Sequence, residues 1–210
     1  VPTDNGANNV YDVIVEAKDA ANNTVYRNVA ITVTNINDAP TGTSNSITID
    51  EDGSKTFAAS DFGFTDATGE SHSLSAVIIT TLPTAGTLTL SGTAVTLNQS
   101  IAVANLGSLV YSPAQNANGN AYATIGFKVQ DNGGTANGGA DTSVNANTLT
   151  FNVTGVNDAP VVNTATALSL AGVSEDAGVP SGSSAGTAVS ELFAAITDAD
   201  VGHTKSVAIT

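Results

Sequence analysis

The sequence of 210 residues contains no cysteine, so no disulfide can stabilise the fold and no thiol is available for chemistry. It also lacks tryptophan and methionine, which leaves Val, Ile, Leu, Ala and Phe to build a core. Basic residues are scarce: 5 Lys and Arg stand against 19 Asp and Glu, giving a net charge of −14. This charge argues against binding to nucleic acid or to an anionic membrane, because both require a basic surface.

Long hydrophobic runs are absent as well. No apolar run reaches the roughly 20 residues of a membrane-spanning helix, so we expect no membrane insertion in this segment. Hydrophobic residues still make up 41% of the sequence, which is enough for a folded core. An extracellular protein without disulfides needs another source of stability, and a bound metal ion would provide one.

A repeated tetrapeptide divides the chain. Asn-Asp-Ala-Pro occurs at 37–40 and again at 157–160, so that Asp158 follows Asp38 by 120 residues. Parts of the sequence before the first copy and after the second match parts of the stretch between them. The sequence therefore predicts a tandem array cut at both ends, with these segments: the end of one repeat at 1–36, a linker at 37–40, a complete repeat at 41–156, a linker at 157–160, and the beginning of a third repeat at 161–210.

The complete repeat has the pattern of an all-β domain. Apolar and polar side chains alternate over 121–129 and over 149–153, which is typical of half-buried strands. No segment shows a sustained helical period, and Asn-Gly dipeptides supply turns between short strands, so the pattern favours an antiparallel β-sandwich. Further strands are predicted at 46–49, 74–80, 86–90, 93–97 and 109–112.

Acidic and amide side chains recur at equivalent positions of the repeats. A sandwich gathers its loops at its two ends, so these side chains should converge where successive repeats meet. Carboxylate and amide oxygens are the ligands that Ca²⁺ prefers. A single Asp or Asn is more simply explained as a turn residue, but the recurrence of the whole set favours calcium. The set comprises Asn35, Asn37, Asp38, Asn157 and Asp158 at the linkers, Glu51 after the first strand, Asp66, Asp198 and Asp200 in an early loop, and Asp19 and Asp131 after the long strand.

Catalytic motifs are weak in this chain. Residues 182–186 fit the spacing of a nucleophile elbow but lack a strand–turn–helix context. Glu51 and Asp52 are adjacent, so on a strand they would face opposite ways. His72 and His203, without cysteines, are better explained as turn residues than as a transition-metal site. We therefore expect no enzymatic activity.

Several motifs resemble those of a known family. Residues 35–40 resemble the inter-domain calcium linker of cadherins, and residues 15–19 resemble the cadherin strand that ends in a calcium-binding Asp. The wider pattern is similar to bacterial cadherin-like repeats of large calcium-dependent surface adhesins. This resemblance implies tandem cadherin-like, immunoglobulin-like Greek-key β-sandwich domains. It further implies an extracellular or bacterial cell-surface location and a role in attachment or biofilm formation. The wider pattern includes the segments 49–53, 82–88, 109–113 and 156–160.

The resemblance also implies two calcium-binding joints, each formed by a linker and the loops around it. The stretch 66–68 holds one carboxylate where 198–200 holds two, so we expect the first joint to be the weaker. Asp19 would belong to a joint further upstream. The first joint would combine Asn35, Asn37 and Asp38 with Asp66 and Asp131, with Asp4 as a further candidate, and the second would combine Glu51 with Asn157, Asp158, Asp198 and Asp200.

The expected partners are the neighbouring repeats of the same polypeptide, together with a surface glycan or protein. A further hypothesis is head-to-tail self-association into filaments, in which residues 161–210 of one chain pair with residues 1–36 of the next. The alternative function is that of a calcium-dependent carbohydrate-binding module, for which Tyr111 and Tyr122 would be the candidate sugar platform. Aromatic residues make up only 5% of the sequence, which weakens this alternative.

Overall fold

The computed structural model describes residues 10–162 and 196–200. Its first element is an antiparallel hairpin of β1 (Val10–Lys18) and β2 (Thr24–Thr32), in which Val10 lies opposite Thr32. No other described strand pairs with this hairpin. Its apolar side chains are correspondingly exposed, as Ile14 at 66% and Val25 at 69% show.

Nine strands follow within the predicted complete repeat, and they confirm that the chain is all-β. Only short 3₁₀ helices, at 59–62, 103–108 and 136–138, interrupt them. Among the residues described, no helix has the length and apolar character needed to cross a membrane. The strands are β3 (Asn45–Asp50), β4 (Lys55–Thr56), β5 (Leu74–Thr81), β6 (Thr87–Leu90), β7 (Thr93–Ala94), β8 (Ser100–Ala102), β9 (Leu109–Ser112), β10 (Gly119–Asp131) and β11 (Asn147–Thr154).

These strands form two sheets, a five-stranded sheet in the order β3-β11-β10-β5-β8 and a four-stranded sheet in the order β4-β9-β6-β7. All neighbours are antiparallel except β3 and β11, which run parallel with Asn45 opposite Leu149. The expectation of a purely antiparallel sandwich is therefore wrong for this pair. The two strands lie at opposite ends of the repeat, so no tight turn fixes their relative direction.

The core lies between the two sheets and is built from aliphatic and aromatic side chains of both. Tyr111 of β9 stacks on Phe151 of β11 with ring centroids 4.0 Å apart. The Tyr111 ring is fully buried, and its hydroxyl donates a hydrogen bond to the carbonyl oxygen of Ala85 at 3.0 Å. Tyr122 packs against the same core. Tyr111 is therefore a core residue, and its ring offers no surface to a sugar.

The predicted strands are largely confirmed. The strand at 109–112 has the predicted bounds, the strand predicted at 93–97 is limited to 93–94, and β4 and β8 were not predicted. Within β10 the predicted alternation holds from Ala123 onwards, but Ala121 is exposed. A bulge between Gly119 and Ala123 shifts the register there, and Ala121 has a φ of 48°. Such a bulge reorients side chains that strict alternation would place inside.

The same backbone bridge follows each linker. Thr41 pairs with Thr65 in an isolated antiparallel bridge. After the second linker, β12 (Val161–Val162) pairs with β13 (Ile196–Thr197), and Val161 lies opposite Thr197. Val161 follows Thr41 by 120 residues, and Thr197 precedes Asp198 as Thr65 precedes Asp66.

Candidate metal sites at the two joints

The side chain of Asn37 connects the first linker to the loop after β10. Its Nδ2 donates hydrogen bonds to Asp131 Oδ1 at 3.1 Å, to the Gly134 carbonyl at 3.1 Å and to the Ala140 carbonyl at 2.9 Å. The Ala140 N–H donates in return to the Asn37 carbonyl at 2.8 Å. The predicted meeting of Asn37 with Asp131 is therefore present, and the linker is fixed to the repeat that follows it.

Two oxygen atoms at this contact are buried without a hydrogen-bond donor, namely Asn37 Oδ1 and Asp131 Oδ2. Their residues are only 9% and 3% exposed. Asn37 also packs closely against Gly133, where an added Cβ would lie 2.1 Å from Asn37 Oδ1. Buried oxygens that lack donors are unfavourable unless something satisfies them, and a cation would do so.

Glu70 joins the first linker to the loop before β5, although the sequence analysis did not single it out. Asn35 Nδ2 donates to Glu70 Oε1 at 2.6 Å, and the Asp38 backbone N–H donates to Glu70 Oε2 at 3.0 Å. The Glu70 side chain is only 3% exposed. Asn35 and Asp38 thus contact Glu70, whereas Asp66 had been expected there. Glu70 is the one carboxylate between Asp66 and β5. This position in the loop is the sequence feature that could have identified Glu70 as a site residue.

Asp66 lies in the same group as Glu70 and His72. Asp66 Oδ2 accepts a hydrogen bond from the His72 backbone N–H at 2.6 Å. One ligand atom from each of Asp66, Glu70 and His72 lies within 4.8 Å of the other two. The first joint therefore contains two contact regions, one around Asp131 and one around Glu70, with linker residues bonded to both.

Glu51 projects from the end of the complete repeat into the second joint. It is 5% exposed, and its two carboxylate oxygens accept hydrogen bonds from Asn118 Nδ2 and from the Val156 N–H, each at 2.8 Å. Carboxylate oxygens of Glu51, Asp158 and Asp200 lie within 4.8 Å of one another. The structure thus brings together three of the residues that the sequence analysis assigned to this joint.

The loop after the second linker is bonded to the linker itself. The Asp158 N–H donates to Asp200 Oδ2 at 2.6 Å, and the Asp200 N–H donates to Asp198 Oδ1 at 3.1 Å. Asp198 and Asp158 line a cleft together with Asp52, which had not been assigned to the site. Asn157 lines a neighbouring cleft. Its Nδ2 donates to the Asp158 carbonyl at 3.1 Å.

The Asp158 carboxyl group lies in an unfavourable environment for a charge. Loss of hydration raises the pKa of Asp158 above its usual value, and the neighbouring carboxylates of Asp52, Asp200, Glu51 and Asp198 raise it further. Its Oδ2 is buried and has no hydrogen-bond partner. A divalent cation placed among these groups would relieve both effects.

Asp19 differs from the other assigned residues because its contacts are local. Its carboxylate caps the β1–β2 turn, accepting hydrogen bonds from the Ala21 N–H at 2.9 Å, the Asn23 N–H at 2.8 Å and Asn23 Nδ2 at 2.8 Å. The hydrogen bond from the Asn23 side chain is the main reason that the pKa of Asp19 is lowered. Its assignment to an upstream joint stays a prediction.

Comparisons with models of protein families, with curated proteins and with solved structures gave no match. The geometry of the two joints is therefore the basis for a functional proposal. Both joints offer clustered oxygen ligands held by hydrogen bonds from linker and loop, which is an arrangement suited to binding a cation.

Proposed function

We propose that this chain is a segment of cadherin-like Greek-key β-sandwich repeats whose joints bind Ca²⁺. It would serve as a stiff stalk in an extracellular adhesin or fibre that supports attachment or biofilm cohesion. One observation carries the proposal: in each joint the linker Asp donates its backbone N–H to a carboxylate of the following loop. The acceptor is Glu70 for Asp38 and Asp200 for Asp158.

The chemistry of the ligands favours calcium at the second joint. Ca²⁺ takes six to eight oxygen ligands in a flexible arrangement. Glu51, Asp158 and Asp200 provide carboxylates at one place, and backbone carbonyls or water would complete the shell. The raised pKa of Asp158 shows that charge in this cluster is unfavourable by itself. A bound cation would convert this repulsion into attraction.

The positions of these ligands explain how an ion would stiffen the chain. Glu51 belongs to the complete repeat, Asp158 to the linker and Asp200 to the segment after it. An ion bound to all three would hold these segments together and restrict bending at the linker. It would also raise the free energy of unfolding, because it binds the folded state and not the unfolded chain.

The repeated backbone bridge supports the tandem part of the proposal. Thr41 pairs with Thr65 after the first linker and Val161 pairs with Thr197 after the second. Two linkers followed by the same pairing are what successive copies of one domain would produce. The neighbouring repeats of the same polypeptide are then the main partners of each domain.

Thermal unfolding with calcium and with a chelator tests this proposal. At a calcium concentration 100 times the dissociation constant, each ion adds about 2.7 kcal/mol to the free energy of unfolding. For a domain of this size, that corresponds to a rise in Tm of about 10 °C or more. Small-angle X-ray scattering should show a narrower range of chain extension with calcium than without it.

A matched pair of variants assigns the effect to the second joint. Asp158→Asn should remove about half of the calcium-dependent rise in Tm. Asp12→Asn, which makes the same change in charge on the exposed face of β1, should leave the rise intact. If the wild-type Tm does not respond to calcium, the acidic groups are hydrated turn residues and do not bind the ion. The carbohydrate-binding alternative would then be examined by glycan binding.

A further inference from the structure

A cluster of mixed ligands lies beside the first linker, and we propose that it binds a borderline transition-metal dication, with Zn²⁺ as the representative ion. The ligands would be Asp66 Oδ2, Glu70 Oε2 and His72 Nδ1. The proposal goes beyond calcium binding and rests on the proposed function only in treating the joints as cation sites. His72 had been interpreted as a turn residue. It does lie in a loop, but two carboxylates face its ring.

The separations between the ligand atoms suit a shared ion. His72 Nδ1 lies 3.7 Å from Asp66 Oδ2 and 3.6 Å from Glu70 Oε2. An imidazolium paired directly with a carboxylate would approach to about 2.7–2.9 Å. A tetrahedral zinc ion, with bonds of about 2.0–2.2 Å, holds its ligands roughly 3.3–3.5 Å apart. The observed separations are too long for hydrogen bonds. They differ by only a few tenths of an ångström from the distances between neighbouring ligands around a tetrahedral zinc ion.

Burial provides an independent reason to place a ligand there. His72 Nδ1 and Asp66 Oδ1 are buried and have no hydrogen-bond partner. The side chain of Glu70 is 3% exposed, and that of Asp66 is 12% exposed. Within residues 10–162 and 196–200, no Lys or Arg forms an ion pair with either carboxylate. The side chain of His72 is 30% exposed, so the cluster remains open to an ion from solvent. Two largely buried carboxylates beside each other are costly unless a cation lies between them.

Backbone and linker hydrogen bonds hold two of the ligands in position. The His72 backbone N–H fixes Asp66 Oδ2, while Asn35 Nδ2 and the Asp38 N–H fix the two oxygens of Glu70. Partners of this kind orient metal ligands and usually contribute strongly to affinity. Three protein ligands would leave a fourth tetrahedral position to water.

The identity of the third ligand sets the preference for the ion. Calcium is a hard ion that takes oxygen ligands, whereas imidazole suits zinc and related metals. Within residues 10–162 and 196–200, the ligands gathered at the second joint are carboxylates, from Glu51, Asp158 and Asp200. We therefore expect the cluster of Asp66, Glu70 and His72 to prefer zinc to calcium.

Zinc titration in saturating calcium tests the inference, using the whole chain and nitrogen NMR of the histidine rings. The sequence has two histidines, so His72→Gln assigns the signals of His72. Zn²⁺ near one equivalent should shift the Nδ1 signal of His72. His72→Gln should weaken zinc binding, measured by calorimetry, by more than about tenfold. Asp66→Asn should also weaken it, and His203→Gln is the matched control for loss of a histidine.

The outcomes separate this inference from the calcium proposal. His72→Gln should retain the calcium-dependent rise in Tm, which also shows that the variant is folded. Unchanged ring signals of His72, or equal zinc affinity in wild type and His72→Gln, would overturn the inference even if calcium still stabilises the chain. A zinc response at His72 without any calcium response would overturn the calcium proposal and leave the zinc site standing.

Discussion

Each joint contains an equivalent hydrogen bond from the backbone of a linker Asp to a carboxylate, but a different type of residue accepts it. The Asp38 N–H donates to Glu70 at the first joint, and the Asp158 N–H donates to Asp200 at the second. Asp200 follows Asp198 by two residues, whereas Glu70 follows Asp66 by four. Glu has one more methylene group than Asp, so its longer side chain can reach the linker from a different loop position. The contact is therefore repeated in space, while the residue that accepts the hydrogen bond and its position in the loop change.

The two joints also differ in what surrounds the shared contact. The first has the buried pair of Asn37 with Asp131 and the ring of His72, while the second has the buried carboxylate of Glu51. The expectation that the first joint is weaker rested on its missing carboxylate at 66–68. Glu70 supplies a second carboxylate at the first joint, so that reason no longer holds. The joints differ in ligand type and in the side chains that are buried.

The largest effect at the second joint should come from Glu51→Ala, measured by denaturant unfolding in calcium. The change leaves Asn118 Nδ2 and the Val156 N–H without their acceptor and removes one candidate metal ligand. We expect a loss of about 3 kcal/mol in the free energy of unfolding, because two partly buried donors lose a charged partner. Asp50→Ala, which removes the preceding, exposed carboxylate, is the control and should cost much less. Similar losses for both variants would show that burial at the joint has no special role.

The first joint can be disturbed separately through Gly133→Ala. The added Cβ would lie 2.1 Å from Asn37 Oδ1, so Asn37 must move away from Asp131. We expect a loss of about 2 kcal/mol, which is typical of overpacking. Gly107→Ala is the control because nothing lies within 4 Å of its added Cβ. The calcium effect of the second joint should persist in Gly133→Ala, and its loss would mean that the two joints do not act independently.

Much of this architecture could be predicted because it depends on local pattern or on repetition. Alternation placed β10 and β11, and the division of the chain into repeats and linkers by the tetrapeptide stays a prediction. The contacts of Asn37 with Asp131, and of Glu51 with Asp158, followed from equivalent positions in the repeats and from the resemblance to cadherin linkers.

The remainder depends on long-range contacts that a local pattern does not contain. The parallel pairing of β3 with β11 joins residues about 100 positions apart, as in Asn45 opposite Leu149. Glu70 lies in a loop without periodicity, and its role depends on a linker 32 residues away. Ala121 is exposed because a bulge interrupts the alternation. Each case is decided by tertiary packing, which overrides the local signal.

The smallest changes in Tm are expected for Asp158 and Asp19 in the presence of a chelator. No cation then masks the repulsion between carboxylates. Burial and like charges raise the pKa of Asp158, so its charged form destabilises the fold. Its stabilising contribution is present at low pH and is lost as the pH rises above the usual Asp value of 3.8 through the raised value. Hydrogen bonds from Asn23 and Ala21 lower the pKa of Asp19, so its contribution is present above 3.8 and is lost as the pH falls through the lowered value.

Asp158→Asn should therefore raise Tm slightly at pH 7 without calcium, whereas Asp19→Asn should lower it slightly. Calcium should reverse the sign for Asp158→Asn, because the charge that repels its neighbours then binds the ion. The sign for Asp19→Asn should not change, because its hydrogen bonds lie within the β1–β2 turn. Scanning calorimetry of both variants with and without calcium measures this crossover. A lower Tm for Asp158→Asn in both conditions would mean that the carboxylate has a structural role independent of any ion.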